Sequence, residues 1–169
     1  MLKRTVNITL AALVAFGLAA CGGAGDQPGA TDSGTPAGVV TNENGVQTIT
    51  IRPVGNEMRY ETTEFAVQAG QEVRIIFENT ATSEAMHHNV VIVDSRDDVD
   101  RVGNSALEAG PAADYIPEDD AIVAYTAMAA PGETVEVTFT APSEAGDYPY
   151  LCTYPGHYML MQGTMTVTN

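Results

Sequence analysis

Short segments in which apolar and polar residues alternate occupy most of the sequence after Gln47, beginning with Thr-Ile-Thr-Ile. Alternation of this kind is typical of β-strands that bury one face. Eight candidate strands follow from it, at residues 48–51, 60–67, 73–77, 88–93, 122–128, 135–139, 148–151 and 164–167. The pattern therefore predicts an all-β chain.

Turn-forming pairs separate several of these candidate strands, among them Pro131-Gly132 and Ala145-Gly146. Short strands with regular turns are typical of β-sandwiches. The candidate at residues 88–93 is apolar on both faces, so we predict that it lies in the middle of a sheet. Together these features predict an eight-stranded Greek-key β-sandwich.

Residues 94–120 interrupt the pattern. They are acidic, contain few β-branched residues and include helix-compatible pieces such as residues 105–109. A stretch of this length inside a compact domain is expected to have its own structure or a function. We predict an insertion with one or two short helices.

The first residues have the features of an export signal. Lys3 and Arg4 precede an apolar run at residues 8–20, which is too short for a membrane span of about 20 residues. The run ends Leu-Ala-Ala-Cys at Cys21, which resembles a bacterial lipobox. We therefore predict a lipoprotein signal peptide at residues 1–20 and lipidation of Cys21.

A segment rich in Gly, Ala, Thr, Asp and Pro follows the signal and contains almost no large apolar residue. This composition predicts a flexible tether at residues 21–45, with a reach of roughly 25–30 Å by random-coil scaling. The remaining residues, 46–169, are sufficient for one domain with a hydrophobic core.

The chain is strongly acidic. Without Lys3 and Arg4, five basic residues face 22 acidic ones, giving a formal charge of −17. This charge excludes nucleic acid as a partner and disfavours electrostatic adhesion to anionic lipid. It agrees with steering towards a basic partner surface, or simply with a solvated acidic surface.

Cys152 has no disulfide partner if Cys21 carries lipid, because the chain has two cysteines. A lone thiol in an exported protein is exposed to oxidation unless it is buried or bound to a metal. His157 and Met161 follow Cys152 on the same loop, and His88 offers a second imidazole. A thiolate, two imidazoles and a thioether form the ligand set of a blue copper site, whereas zinc sites rarely use methionine.

Two of these ligands have neighbouring competitors. His87 precedes His88, and adjacent residues of a strand point to opposite faces. Alternation with the apolar residues that follow favours His88 as the inward-facing histidine. Met159 competes with Met161, and the spacing before the next strand favours Met161.

These motifs resemble those of the cupredoxins, specifically the azurin and auracyanin type of blue copper protein. The resemblance covers residues 47–169. It rests on the pair His88-Asn89, on Cys152, on Pro155-Gly156, on His157, and on Met161 shortly before Gly163-Thr164.

The resemblance implies a role for each matching residue. Cys152 is the expected thiolate ligand, His157 the ligand nearer the surface, and Met161 the long axial ligand. Asn89 is expected to hydrogen-bond across to the Cys152 loop and to steady the sulfur. Where the family has a glycine whose carbonyl approaches copper, this chain has His87, so that carbonyl ligand is not carried over.

The same resemblance implies a type 1 copper electron carrier and not an enzyme. One copper per chain would change between Cu(I) and Cu(II), since four protein ligands leave no position for a substrate. The expected partners are a membrane redox complex or a cytochrome, which a monomer would meet at an apolar rim of Pro155, Tyr158 and Met159. The lipid on Cys21 would hold the protein at the periplasmic or extracytoplasmic face of a bacterial membrane.

Other functions remain in competition at this point. The same ligands could store or deliver copper without an electron-transfer partner. A metal-free adhesive sandwich would make the Cys-His-Met loop a coincidence. A multicopper oxidase is excluded, because three histidines cannot build a blue site and further copper sites.

Overall fold

The computed structural model describes residue 38 and residues 40–169, which form two β-sheets and one α-helix. The predicted signal peptide, Cys21 and most of the tether lie outside the described residues. The described strands are β1 (Thr41–Glu43), β2 (Val46–Ile51), β3 (Glu64–Gln68), β4 (Glu72–Glu78), β5 (Val91–Val93), β6 (Ile122–Tyr125), β7 (Thr134–Thr140), β8 (Gly146–Leu151) and β9 (Gln162–Thr168). The helix α1 is Val99–Ala109, between single 3-10 turns at Arg96–Asp98 and Pro111–Ala113.

The two sheets form the predicted all-β sandwich. One has the strand order β1-β2-β4-β7 and the other β3-β9-β8-β5-β6. The pairs β2–β4 and β3–β9 are parallel, and the remaining pairs are antiparallel. Alternate residues of these strands form one buried cluster, which includes Ile49, Ile51, Val73, Ile75, Phe77, Met165 and Val167.

Each of the eight predicted segments contains an observed strand. Strand β6 ends at Tyr125 and not at residue 128, and two other strands begin later than predicted. Strand β3 begins at Glu64, because Tyr60 makes only an isolated bridge to Pro53. Strand β5 begins at Val91, because His88 pairs only with Ala129. Both shortened ends therefore become loops beside the sheets.

Strand β1 is absent from the sequence prediction and falls within the last residues of the segment assigned to the tether. It forms a hairpin with β2 through Asn44 and Gly45, whose φ angles are 54° and 85°. An Asn-Gly pair favours this type of two-residue turn, because both residues tolerate positive φ. That pair is the signal that could have predicted the hairpin.

The prediction that residues 94–120 contain short helices is confirmed by α1. Its buried residues recur at helical spacing, at Val99, Val102, Gly103 and Ala106. They cover the outer face of the second sheet, so that every residue of β5 is buried, as its two apolar faces predicted. In the part of the chain that the structure describes, no helix has the length and apolar character needed to cross a bilayer.

A glycine brings α1 into close contact with the loop between β8 and β9. A Cβ atom added at Gly103 would overlap the ring of Tyr158. The Tyr158 hydroxyl donates a hydrogen bond to Oδ1 of Asn104 at 2.9 Å. The helix thus supports one side of the loop that carries the predicted metal ligands.

Replacing Gly103 by alanine tests this contact. At an exposed helix position this change stabilises a protein by about 0.5–1 kcal/mol, because glycine loses more conformational entropy on folding. Here the methyl group would displace Tyr158, so we expect the free energy of unfolding to fall by about 1–3 kcal/mol in chemical denaturation.

The matched control is the same Gly103→Ala change in a Tyr158→Ala background, where the overlap is gone. There the change should be neutral or stabilising. A stabilising effect with Tyr158 present would contradict the packing of α1 described above.

Candidate metal centre

Three donor atoms converge at one end of the sandwich. The Sγ of Cys152 lies 3.7 Å from the Nδ1 of His88 and 3.7 Å from the Nδ1 of His157. The two Nδ1 atoms are 3.2 Å apart. His88 and Cys152 are fully buried, and His157 is 5% exposed. The structure therefore brings together the thiol and two imidazoles that the sequence pattern singled out.

These spacings suit one small ion at the common point. Nitrogen and sulfur ligands bind a first-row metal at about 2.0–2.3 Å, which separates neighbouring donors by about 3.2–3.9 Å in a near-tetrahedral site. The measured separations fall within that range. Two nitrogens and one sulfur are also the donors that copper and zinc accept, whereas calcium and magnesium prefer oxygen.

The local polypeptide explains why three distant donors meet. Cys152 follows β8 directly, and its N–H donates to the carbonyl of Met161 at 3.1 Å. Pro155 and Gly156 turn the chain, with Gly156 at a φ of 82°, which favours glycine. His88 reaches the same place from the other side, through its backbone pairing with Ala129.

Burial controls the protonation of the donors. It raises the pKa of Cys152 to about 12, although backbone N–H groups of Asn89 and Tyr154 act in the opposite direction. Burial lowers the pKa of His88 to about 4, helped by the charges of His157 and His87. Burial also lowers the pKa of His157. At neutral pH both imidazoles are thus uncharged and able to bind a metal, and a bound cation would favour the thiolate.

Met161 lies beside these donors, and Met159 does not. Met161 is fully buried in the same cluster as Cys152, and its N–H donates to the carbonyl of His157 at 2.9 Å. Met159 is 65% exposed. These positions support Met161 over Met159, and its role as the fourth ligand stays a prediction.

His87 is separate from the converging donors, as strand alternation predicted. The buried group of possible metal ligands consists of His88, Cys152 and His157. The ring of His87 instead stacks on Tyr154, with centroids 5.6 Å apart and an angle of 14° between the planes. These positions support His88 over His87, and its role as a ligand stays a prediction.

Asn89 bonds to the loop of Cys152 as the resemblance implied, and its partner is Thr153. The Asn89 Nδ2 donates to Oγ1 of Thr153 at 2.8 Å, and the Thr153 N–H donates to Oδ1 of Asn89 at 2.9 Å. The Tyr60 hydroxyl donates to the Asn89 carbonyl. Neither Thr153 nor Tyr60 was selected from the sequence, because both contacts join segments far apart in the chain.

The residues predicted to form a docking rim occupy different positions. Pro155 is half-buried on the loop from Cys152 to Met161, which we call the ligand loop. Met159 is exposed beside Leu160, which is also 65% exposed. Tyr158 is half-buried and turned towards α1. The exposed apolar surface near His157 therefore consists mainly of Met159 and Leu160.

Comparisons with known proteins agree with this geometry. The family model for copper binding proteins of the plastocyanin/azurin family matches residues 47–168. Auracyanin-A of Chloroflexus aurantiacus is 43% identical over 166 residues, which cover 97% of this chain and 96% of that protein. Azurin of Alcaligenes faecalis is 34% identical over 118 residues, 66% of this chain and 91% of azurin.

A solved structure gives the same result. Auracyanin A, described as a "blue" copper protein from a green thermophilic photosynthetic bacterium, superposes with a TM-score of 0.68 and 46% identity. The match covers 73% of this chain and all of that one. The chain belongs to the plastocyanin/azurin family of copper-binding proteins. Within it, the protein is a blue copper protein of the azurin and auracyanin type, and copper is its cofactor.

Replacing Asn89 by alanine removes the two buried hydrogen bonds of its side chain and leaves the N–H of Thr153 without its acceptor. Unpaired buried polar groups cost about 1–3 kcal/mol each, so we expect the free energy of unfolding to fall by at least about 2 kcal/mol. Chemical denaturation of the copper-free protein measures it without a contribution from the metal.

The control is Asn42→Ala on the exposed strand β1, which should change the free energy of unfolding by less than about 0.5 kcal/mol. Equal effects of the two changes would mean that the Asn89 side chain does not hold the Cys152 loop.

Proposed function

We propose that this protein carries single electrons between membrane redox complexes, and that it is not an enzyme. The observation that carries the proposal is the enclosed group of His88, Cys152 and His157, with Met161 packed beside it. Four protein donors leave no open position for a substrate or water, which disfavours hydrolysis and oxygen activation. When bound there, copper supplies a one-electron change between Cu(I) and Cu(II).

The residues around the donors limit what must move during that change. The hydrogen bonds between Asn89 and Thr153 hold the chain on either side of the site. The backbone bonds of Met161 to Cys152 and His157 close the loop. Donors held in one arrangement by their surroundings need little reorganisation, which is the property that an electron carrier requires.

His157 is the proposed point of electron exit and entry. It is the one donor with measurable exposure, and the exposed side chains of Met159 and Leu160 lie on the same loop. Small apolar contacts of this kind suit short-lived encounters between redox proteins. We call Met159 and Leu160 the apolar rim. A monomer that meets a cytochrome or a membrane complex through this rim would exchange electrons through the imidazole of His157.

The predicted lipid on Cys21 completes this proposal. The similarity to Auracyanin-A covers 97% of this chain, and therefore includes part of the N-terminal segment. We propose that the domain lies on the periplasmic or extracytoplasmic face of a bacterial membrane, tethered through the part of residues 21–45 that precedes β1. Mass spectrometry of the membrane fraction should find Cys21 diacylated, and an unmodified N-terminal segment would contradict the anchor.

The copper ligands can be tested by colour. The copper-loaded protein should have an intense visible band from charge transfer between thiolate and Cu(II), and Cys152→Ala and His88→Gln should abolish it. His87→Gln is the matched control and should keep the band, because His87 lies outside the donor group.

A colourless loaded protein, or a band unchanged in Cys152→Ala, would contradict the site. The competing function of copper delivery predicts rapid transfer of copper to a chelator. Slow loss over hours is the result expected of a carrier with buried donors.

Met161→Gln tests the predicted axial ligand. An amide oxygen is a harder donor than a thioether and favours Cu(II), so the reduction potential should fall while the protein stays coloured. Met159→Gln is the control and should leave the potential nearly unchanged. Equal potentials for wild type and Met161→Gln, measured by voltammetry, would show that Met161 does not approach copper.

A further inference from the structure

A surface groove of about 340 Å³ lies next to the donor group. It is lined by Tyr154 of the ligand loop, by His87, by Asp114 and Tyr115 of the insertion, and by Glu133 in the turn before β7. The groove thus lies between the ligand loop and the insertion at residues 94–120, to which the sequence analysis assigned no function.

One aromatic ring connects the groove to the donor group. The ring of Tyr154 stacks on His87 and meets Tyr115 at 75°, with centroids 5.5 Å apart. The same ring lies 4.9 Å from the imidazole of His157. A group bound in the groove is therefore separated from a copper ligand by a single side chain.

The insertion holds one wall of the groove in an unusual backbone conformation. Asp114 and Tyr115 have φ angles of 50° and 55°, and left-handed residues other than glycine are uncommon. Such residues cost of order 1 kcal/mol each and cluster at functional sites. In this conformation Tyr115 packs against the ring of Tyr154, and Asp114 lines the same opening.

The groove offers acceptors for hydrogen bonds, and no lysine or arginine lines it. The carboxylates of Asp114 and Glu133 line it, and only Ala130 donates to Glu133, at 2.9 Å. Nδ1 of His87 is buried and has no hydrogen-bond partner among the described residues. A buried ring nitrogen without a partner is uncommon and indicates a position that a hydrogen-bonding ligand can complete.

The arginines of the described chain are all engaged elsewhere. Their partners are Glu78 for Arg52, Glu57 for Arg59, Glu136 for Arg74, Asp98 and Asp119 for Arg101, and Gln162 and Thr164 for Arg96. No arginine of residues 40–169 therefore pairs with the carboxylates of the groove, and we infer that the complementary cation comes from outside.

We propose that this groove docks an arginine side chain from the surface of the redox-protein partner. A guanidinium stacks on aromatic rings such as that of Tyr115, which lines the groove, and it donates several hydrogen bonds in one plane. Asp114 and Glu133 supply the opposite charge. The inference rests on the proposed electron-carrier function, to which it adds a charged contact beside the apolar rim.

Binding of a model peptide tests the groove by itself. The Cu(I) protein is titrated with acetyl-Gly-Arg-Gly-amide while NMR follows the ring signals of Tyr115 and Tyr154. The arginine peptide should shift both signals and bind about tenfold more tightly than its citrulline and lysine analogues. Equal binding of arginine and citrulline peptides would overturn the proposal, and equal binding of the lysine peptide would overturn the assignment to a guanidinium.

Two double variants distinguish the effect of the groove carboxylates from the effect of the negative charge of the whole surface. Asp114→Asn keeps a residue that tolerates positive φ, and Glu133→Gln keeps an oxygen for the N–H of Ala130. This pair should weaken arginine-peptide binding about tenfold. The control pair, Glu72→Gln with Glu144→Gln, makes the same charge change at exposed positions outside the groove and should weaken binding less than about twofold. Equal losses in the two pairs would overturn the proposal.

Electron transfer provides the second readout. Ferrocytochrome c, a basic protein, should reduce the Cu(II) form about fivefold to tenfold more slowly in the groove pair than in wild type at low salt, and the control pair should slow it less than about twofold. The reduction potential should be the same in both pairs. Equal slowing in both pairs would overturn the docking role.

The peptide titration and the electron-transfer rates distinguish a failure of the groove proposal from a failure of the proposed electron-carrier function. If cytochrome c and small reductants fail to reduce the wild-type Cu(II) protein, the electron-carrier function is wrong. The peptide titration still reports on the groove in that case, because it depends on the shifts of the Tyr115 and Tyr154 signals and not on electron transfer.

Discussion

The close approach of two imidazole nitrogens to one buried thiol sulfur is the constraint on which the remaining structure depends. Burial raises the pKa of Cys152 and lowers those of His88 and His157, so the protein interior by itself favours a neutral thiol and neutral imidazoles. Because neutral donors do not attract one another as charges would, the β-sandwich itself must hold them together. It does so through neutral contacts, chiefly the paired hydrogen bonds of Asn89 and Thr153.

Much of this arrangement could be predicted from the sequence, because its signals are local or periodic. Alternation identified the strands and placed His88, and not His87, towards the interior. Cys152 and His157 were recognisable because they lie on one short loop with a turn between them. Residues 94–120 were recognisable as an insertion because they lack the strand pattern, and α1 confirms their helical content.

The rest depends on contacts between distant segments, which alternation cannot show. The close approach of Gly103 to Tyr158 requires that the helix pack against the ligand loop, and the partner of Asn89 is 64 residues away. The late start of β5 reflects the bridge from His88 to Ala129, which replaces regular strand pairing next to the site. By contrast, β1 had a local signal in its Asn-Gly turn.

The loop from Cys152 to Met161 has a consequence for folding. Two donors and the predicted third lie within ten consecutive residues, so a denatured chain still presents a local chelate, and only His88 requires the finished sandwich. A ligand that also binds the unfolded chain stabilises the native state only by the difference between its two affinities. Copper should therefore associate with this polypeptide before it folds, and the arrival of His88 marks the completion of the native site.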